Sequence, residues 1–209
     1  MVQRWKYWFF KKALPHKFCD DVIKHALSQQ IKLGGTKEID ANKKLSKKQI
    51  KDLYQYRDSN IVWLNDRWIY DVIVPFVRTA NKNANWNFQF DDAESIQFTI
   101  YKKGQFYNWH MDGFEDPYDM PEDPHKHGKV RKLSVTVALS DYKEYKGGDF
   151  YFIIDNSKNP LKPKQMKAKE IKEKGSIIVF PSYEFHKVAP IIKGTRYSLV
   201  IWFLGKPFK

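Results

Sequence analysis

Cysteine is what this sequence has least of. Cys19 is the only one in 209 residues, so no intrachain disulfide can form and no zinc site can be built on thiolates. That fits a reducing compartment, and a cytoplasmic location is the expectation. No apolar run reaches the ~18 residues that a membrane-spanning helix needs. The opening stretch, MVQRWKYWFFKKALP, is rich in aromatics, but Lys6, Lys11 and Lys12 interrupt it. It lacks an apolar core followed by a small-residue cleavage site, so a secretory signal is not expected. Internal repeats and a Gly/Ser-rich linker are also missing, and a single domain over residues 1–209 is expected.

What is present can build a core. Hydrophobic residues make up 42% of the chain and aromatics 16%, with seven Trp, a composition suited to β-rich packing or a lined pocket. The net charge is +13. Lysines gather at Lys43, Lys44, Lys47, Lys48 and Lys51, and again between Lys158 and Lys174, where seven Lys face two Glu. Such charge can steer a protein toward nucleic acid or an acidic partner. These runs carry no interleaved aromatics or arginines able to read bases, so they read as solvated surface, and nucleic acid is not the favoured partner.

Hydrophobic periodicity divides the chain. Residues 1–93 read as a mostly helical support region, and 94–204 as a strand-rich core. Phe18, Val22, Ala26 and Leu27 share one helical face after Leu14-Pro15. A polar stretch from Gly34 to Lys51 reads as a loop with a short helix. Asn65-Asp66 opens a second long helix carrying Trp68, Val72, Ile73, Phe76 and Ala80, in which Pro75 predicts a kink or break. From Glu94 the period becomes two. Strands are predicted at 95–101, 105–111, 131–139, 148–154, 175–180, 185–190 and 195–204. Turn signals at Lys103-Gly104, Gly147-Gly148, Lys174-Gly175 and Lys193-Gly194 separate them. Seven short strands suggest a sandwich or barrel, with a jelly roll among the candidates.

The residues suited to chemistry lie in that second part. On a strand, His110 and Asp112 project from one face, two positions apart, with Met111 on the other. One imidazole and one carboxylate supply two positions of a 2-His-1-carboxylate metal site. His186, after a predicted buried strand, is the candidate for the third. Arg196 begins a long apolar strand, where a charge is costly unless it is paired. Its planar fork suits a carboxylate, and Ser198 adds a hydroxyl on the same face.

The ordered set Tyr101-x-x-Gly104-x-x-Tyr107-x-x-His110-x-Asp112, Arg131-x-x-Ser134, Gly147-Gly148-Asp149-Phe150, Gly175-Ser176, Phe180-Pro181, His186-x-Val188 and Gly194-x-Arg196-Tyr197-Ser198, ending at Trp202, resembles the prolyl 4-hydroxylase-like branch of the Fe(II)- and 2-oxoglutarate-dependent oxygenases. The resemblance runs from about Glu94 to Phe203. It implies a double-stranded β-helix, or jelly-roll, core supported by the N-terminal helices. It also implies a dioxygenase using Fe(II), 2-oxoglutarate and O2, with ascorbate as an accessory. His110, Asp112 and His186 would hold the metal. Arg196 and Ser198 would bind the distal carboxylate of 2-oxoglutarate, and Tyr101 would hydrogen-bond the co-substrate. Trp202 is expected to pack beside the site. Ala138 departs from a tyrosine that some animal relatives carry there, which bears on co-substrate binding. Asp112 favours hydroxylation, since related halogenases replace this carboxylate by a small residue.

The resemblance points to a prolyl residue of a peptide or protein as substrate. A free amino acid, another small molecule or a nucleic acid are the alternatives, and oligomeric state is left open. His125 and His127 form a second His-x-His pair, but Pro121, Pro124 and Gly128 bracket them and no third ligand is in view. They read as part of a loop between the His-x-Asp strand and the next, where relatives carry a segment that covers substrate.

Overall fold

A computed structural model describes residues 5–35, 45–113, 116–155 and 164–208. Lys43, Lys44, Lys158, Lys162 and part of the 113–129 loop lie outside the described residues. The front of the chain holds β1 (Trp8–Phe10), α1 (His16–Leu27), β2 (Lys32–Leu33), α2 (Lys47–Tyr56), β3 (Arg57–Asp58), β4 (Asn60–Leu64) and α3 (Arg67–Asn83). Next come β5 (Asp92–Ala93), β6 (Ile96–Tyr101), β7 (Phe106–His110), β8 (Val130–Ala138), β9 (Tyr145–Gly147) and β10 (Phe150–Asp155). The chain ends with β11 (Lys164–Lys167), a 3-10 turn at Lys169–Lys172, β12 (Ile177–Pro181), β13 (His186–Val188), β14 (Ile191–Gly194) and β15 (Arg196–Gly205).

Two antiparallel sheets face one another. The larger has the order β1-β12-β8-β15-β6-β4-β2, with β5 also pairing β15, and the smaller has the order β11-β10-β13-β7-β3. In both, strands distant in sequence alternate as neighbours, which is the winding of a jelly roll. The strands β6, β8, β12 and β15 are almost wholly buried. Helices α1 and α3 cover the outer face of the large sheet with Cys19, Val22 and Ala26, and with Ile69, Ile73, Val77 and Ala80. The inner faces of both sheets make a second cluster around Phe150, Phe152 and Phe180.

Seven observed strands match the seven predicted to within a few residues. The helical faces are less exact. Leu27 is 43% exposed and Trp68 40% exposed, so the buried stripe of α3 runs through Ile69 and Val77, one position round from Trp68 and Phe76. The helix also continues through Pro75, against the predicted kink or break. Asp71 and Pro75 both lie on its exposed side. The carbonyl that loses its amide partner is therefore turned toward water, and the apolar stripe holds the helix together across it. Helix α2 starts with a capping box between Ser46 and Gln49.

Candidate metal and co-substrate site

His110 ends β7 and His186 begins β13, and the two are direct cross-strand partners in the small sheet. Asp112 follows His110 by two residues. One loop carbonyl fixes that turn, because the amides of Asp112 and Gly113 both donate to Ser182 O, at 3.0 and 2.7 Å. Ser182 is itself held, its amide by Lys132 O at 3.0 Å and its hydroxyl by Ser134 at 2.9 Å. The arm that carries Asp112 is thus bolted to the segment that leads into His186.

Each imidazole is oriented by a backbone carbonyl. His110 Nδ1 lies 2.7 Å from Asn108 O, and His186 Nδ1 lies 2.8 Å from Glu184 O. A carbonyl only accepts, so both Nδ1 atoms carry hydrogen, and Nε2 is the nitrogen each ring has left to offer a metal. Those Nε2 atoms face Asp112, at 3.7 Å from Oδ1 and 3.6 Å from Oδ2. Burial and the neighbouring His186 push His110 down to about 3, which keeps it neutral. Burial pushes the Asp112 carboxyl up, but His186 and Arg131 outweigh it and hold it below its usual range. The indole N–H of Trp202 also favours the ionised form, although the two are not in hydrogen-bond geometry.

The donor atoms of His110, Asp112 and His186 all lie within 4.8 Å of one another, and they form the one such cluster among the described residues. Asp112 Oδ2 is buried with no hydrogen-bond partner. Two imidazoles whose Nε2 atoms face an unpartnered carboxylate are a donor set that fits a divalent iron and leaves further coordination positions open.

Arg196 lines the same cavity as the three residues above. Only 2% exposed, it gives Nη1 to Ser198 Oγ at 3.1 Å, while Nη2 is buried with no partner. No carboxylate among the described residues reaches it. Tyr101 is its cross-strand partner, with the guanidinium 5.6 Å from the ring centroid. Gly148 leaves room for it. At φ +60° its backbone is left-handed, and a Cβ there would lie 2.5 Å from Ile191 Cδ1 and 3.1 Å from Arg196 Cδ. A cavity lined by both an unpaired guanidinium fork and a triad of metal-ligating side chains suits a dicarboxylate held between them.

The structure thus brings together all six residues singled out in the sequence. It adds others. Tyr107 stacks on His110 with ring centroids 3.5 Å apart, and Arg57 lies over its other side at 4.5 Å. Burial pushes the Tyr107 hydroxyl up to about 12. Arg131 clamps Glu94 through two hydrogen bonds of 2.5 and 2.6 Å and sits 3.9 Å over the Trp202 ring. Trp202 lines the cavity as well as packing beside it. Of these, only Arg57 had no signal in the sequence, because it reaches the site through the pairing of β3 with β7. His125 pairs with Asp92 at 2.8 Å and His127 accepts from the Met120 amide at 3.2 Å, so both belong to the loop, as expected.

Comparison with known proteins agrees with this geometry. The model of the 2OG-Fe(II) oxygenase superfamily matches residues 96–204. This chain belongs to that superfamily. The matched segment runs from β6 to β15 and contains all six residues above. A PKHD-type hydroxylase from a Synechococcus strain is 35% identical to this oxygenase over 111 residues, 53% of this chain and 41% of its own. A putative prolyl 4-hydroxylase of Acanthamoeba polyphaga mimivirus is 27% identical over 163 residues, 73% of this chain and 60% of its own. The chain therefore spans about two fifths of the length of the PKHD-type relatives it matches. Among solved structures, a Pseudomonas putida prolyl-4-hydroxylase superposes with a TM-score of 0.65 at 17% identity, covering 95% of this chain and 92% of that one. A viral collagen prolyl hydroxylase from Paramecium Bursaria Chlorella virus-1, solved with 2OG, gives 0.63 at 18% identity over 98% and 99%. At these identities the structures establish the jelly-roll fold of this oxygenase. No helix among the described residues is long and apolar enough to cross a membrane.

Proposed function

We propose that this oxygenase is an Fe(II)- and 2-oxoglutarate-dependent dioxygenase that hydroxylates a prolyl residue in a peptide or protein. The observation that carries the reaction class is the single cavity lined by both the triad and the unpaired Arg196 fork. His110, Asp112 and His186 would hold the iron. Arg196 and Ser198 would bind the far carboxylate of 2-oxoglutarate, and Tyr101 would donate to the co-substrate from the neighbouring strand. Iron with its co-substrate, when bound, supplies the oxidising power for C–H hydroxylation. The chain's own task is placement. Asn108 O and Glu184 O fix the imidazole tautomers, Ser182 O fixes the Asp112 arm, and the aromatic walls of Phe150, Phe180 and Trp202 keep water out.

The prolyl substrate rests on the relatives, which are named PKHD-type hydroxylases and a putative prolyl 4-hydroxylase. Ascorbate would keep the iron reduced. A cytoplasmic setting is in keeping with Cys19, whose buried thiol is pushed up to about 11. The test is succinate formation with iron, 2-oxoglutarate and oxygen, run with a panel of proline-rich peptides whose masses are then read. A 16-Da gain on proline is expected. Succinate formation with every peptide mass unchanged would reject the prolyl substrate and favour a small molecule.

A further inference from the structure

The small sheet has a second face. Along β10, Phe150 and Phe152 point into the cavity cluster, so Tyr151 and Ile153 point out. On β13, His186 and Val188 point in and Lys187 points out, and on β7 Trp109 points away from His110. Register then lines these side chains up across neighbouring strands. Tyr151 pairs with Lys187 on one side and with Lys167 on the other. The Lys187 ammonium lies 4.5 Å from the Trp109 ring and 5.1 Å from the Tyr151 ring. The outer face therefore carries a row of Trp109, Lys187, Tyr151 and Lys167. Beside it Ile153 stands next to the 39% exposed Phe185, whose carbonyl accepts from the Ile153 amide.

We propose that this row is a docking site for a proline-rich, acidic polypeptide in the polyproline II conformation, separate from the catalytic cavity. Trp109 and Tyr151 stand two strands apart, which is about 9.6 Å at the usual strand spacing. A polyproline II helix repeats every three residues, about 9.3 Å. Prolines at i and i+3 would rest on the two rings, as such segments do on aromatic-lined surfaces. The cation between the rings selects the residue between the prolines. Lys187 has no carboxylate partner among the described residues, so an acidic side chain there would gain an unshared partner. Lys167 and Lys172 share the one carboxylate of Asp149, leaving the same face with excess positive charge. The biological sense rests on the prolyl reading above. A substrate with many prolines would be held here while another of its segments enters the cavity, raising the local concentration of target sites.

The binding is testable without turnover. A fluorescein-labelled (Pro-Pro-Glu)4 peptide is titrated with protein lacking iron and 2-oxoglutarate, and anisotropy is read. Tyr151→Ala should weaken binding about tenfold. Lys187→Met keeps the apolar stem over the rings, and should lower affinity for (Pro-Pro-Glu)4 while leaving a (Pro-Pro-Gln)4 peptide unchanged. A shuffled peptide of the same composition, with the three-residue period broken, should bind less tightly. Unchanged affinity in both variants overturns the proposal, and so does tighter binding of labelled oligouridine that Tyr151→Ala abolishes, which would assign the face to single-stranded nucleic acid. Docking that persists where no peptide is hydroxylated leaves this site standing and rejects only the prolyl substrate.

Discussion

Replacing Arg196 with Met should move two quantities in opposite directions. In the ligand-free protein Arg196 is a buried cation with one hydroxyl partner and one unsatisfied nitrogen. A buried charge without a counter-ion is costly, and a well-packed apolar replacement of similar length relieves about 1–3 kcal/mol. At roughly 2–4 °C per kcal/mol for a domain of this size, the melting temperature of the ligand-free variant should rise by several degrees. Co-substrate binding should suffer. Removing one partner of a buried, hydrogen-bonded charge pair costs about 2–5 kcal/mol, and about 3 kcal/mol is a loss of roughly 150-fold in affinity. Thermal scans with and without 2-oxoglutarate read both effects. At a hundred times Kd the wild type gains about 2.7 kcal/mol, or roughly 5–11 °C, and the variant at the same concentration should gain almost nothing. A ligand-free variant that melts below the wild type and still responds to 2-oxoglutarate would refute the view of Arg196 as a charge waiting for a carboxylate.

Three further outcomes follow from the geometry. Asp112→Ala or His110→Ala should abolish iron-dependent turnover and weaken binding of a spectroscopic substitute such as Co(II), measured by its absorption bands. Gly148→Ala places a methyl group against Ile191 and Arg196 in a left-handed backbone. It should cost about 1–3 kcal/mol of stability and raise the 2-oxoglutarate KM more than it lowers kcat, as steady-state kinetics would show. Burial pushes the Asp149 carboxyl up, but Lys167 and Lys172 outweigh it and hold it below its usual range. Its contribution to stability is therefore complete above the unfolded value of about 3.9 and is lost as pH falls through the folded one. Acid unfolding of Asp149→Asn should be less steep below about pH 4 than that of the wild type.

Much of this site was legible because its parts are local in sequence. The His110–Asp112 spacing, the position of His186 after a buried strand and the Arg196–Ser198 pair each fit within a few residues, and strand alternation gives their direction. The jelly-roll strands were legible for the same reason, since their period of two persists through Tyr101, Ala138 and Leu204. Other features are products of register. Arg57 reaches Tyr107 only because β3 adds to the edge of β7, and nothing near residue 57 announces a strand. The outer row of Trp109, Lys187 and Tyr151 joins three strands separated by some 80 residues of sequence, so a search for basic runs with interleaved aromatics along the chain could not find it. The helix of Pro75 misleads for a different reason. A proline rule counts the hydrogen bond that is lost but not the side of the helix on which it is lost.

Ser182 uses every polar group it has. Its amide, carbonyl and hydroxyl tie the Asp112 arm, β8 and the approach to His186 into one knot, and no atom of that knot is a candidate ligand. The triad is therefore a socket cast before its occupant arrives. Iron would be a guest in this protein rather than the nail that holds it together, and a chain stripped by chelators should keep its shape, with the Asp112 and Gly113 amides among the slowest to exchange with solvent.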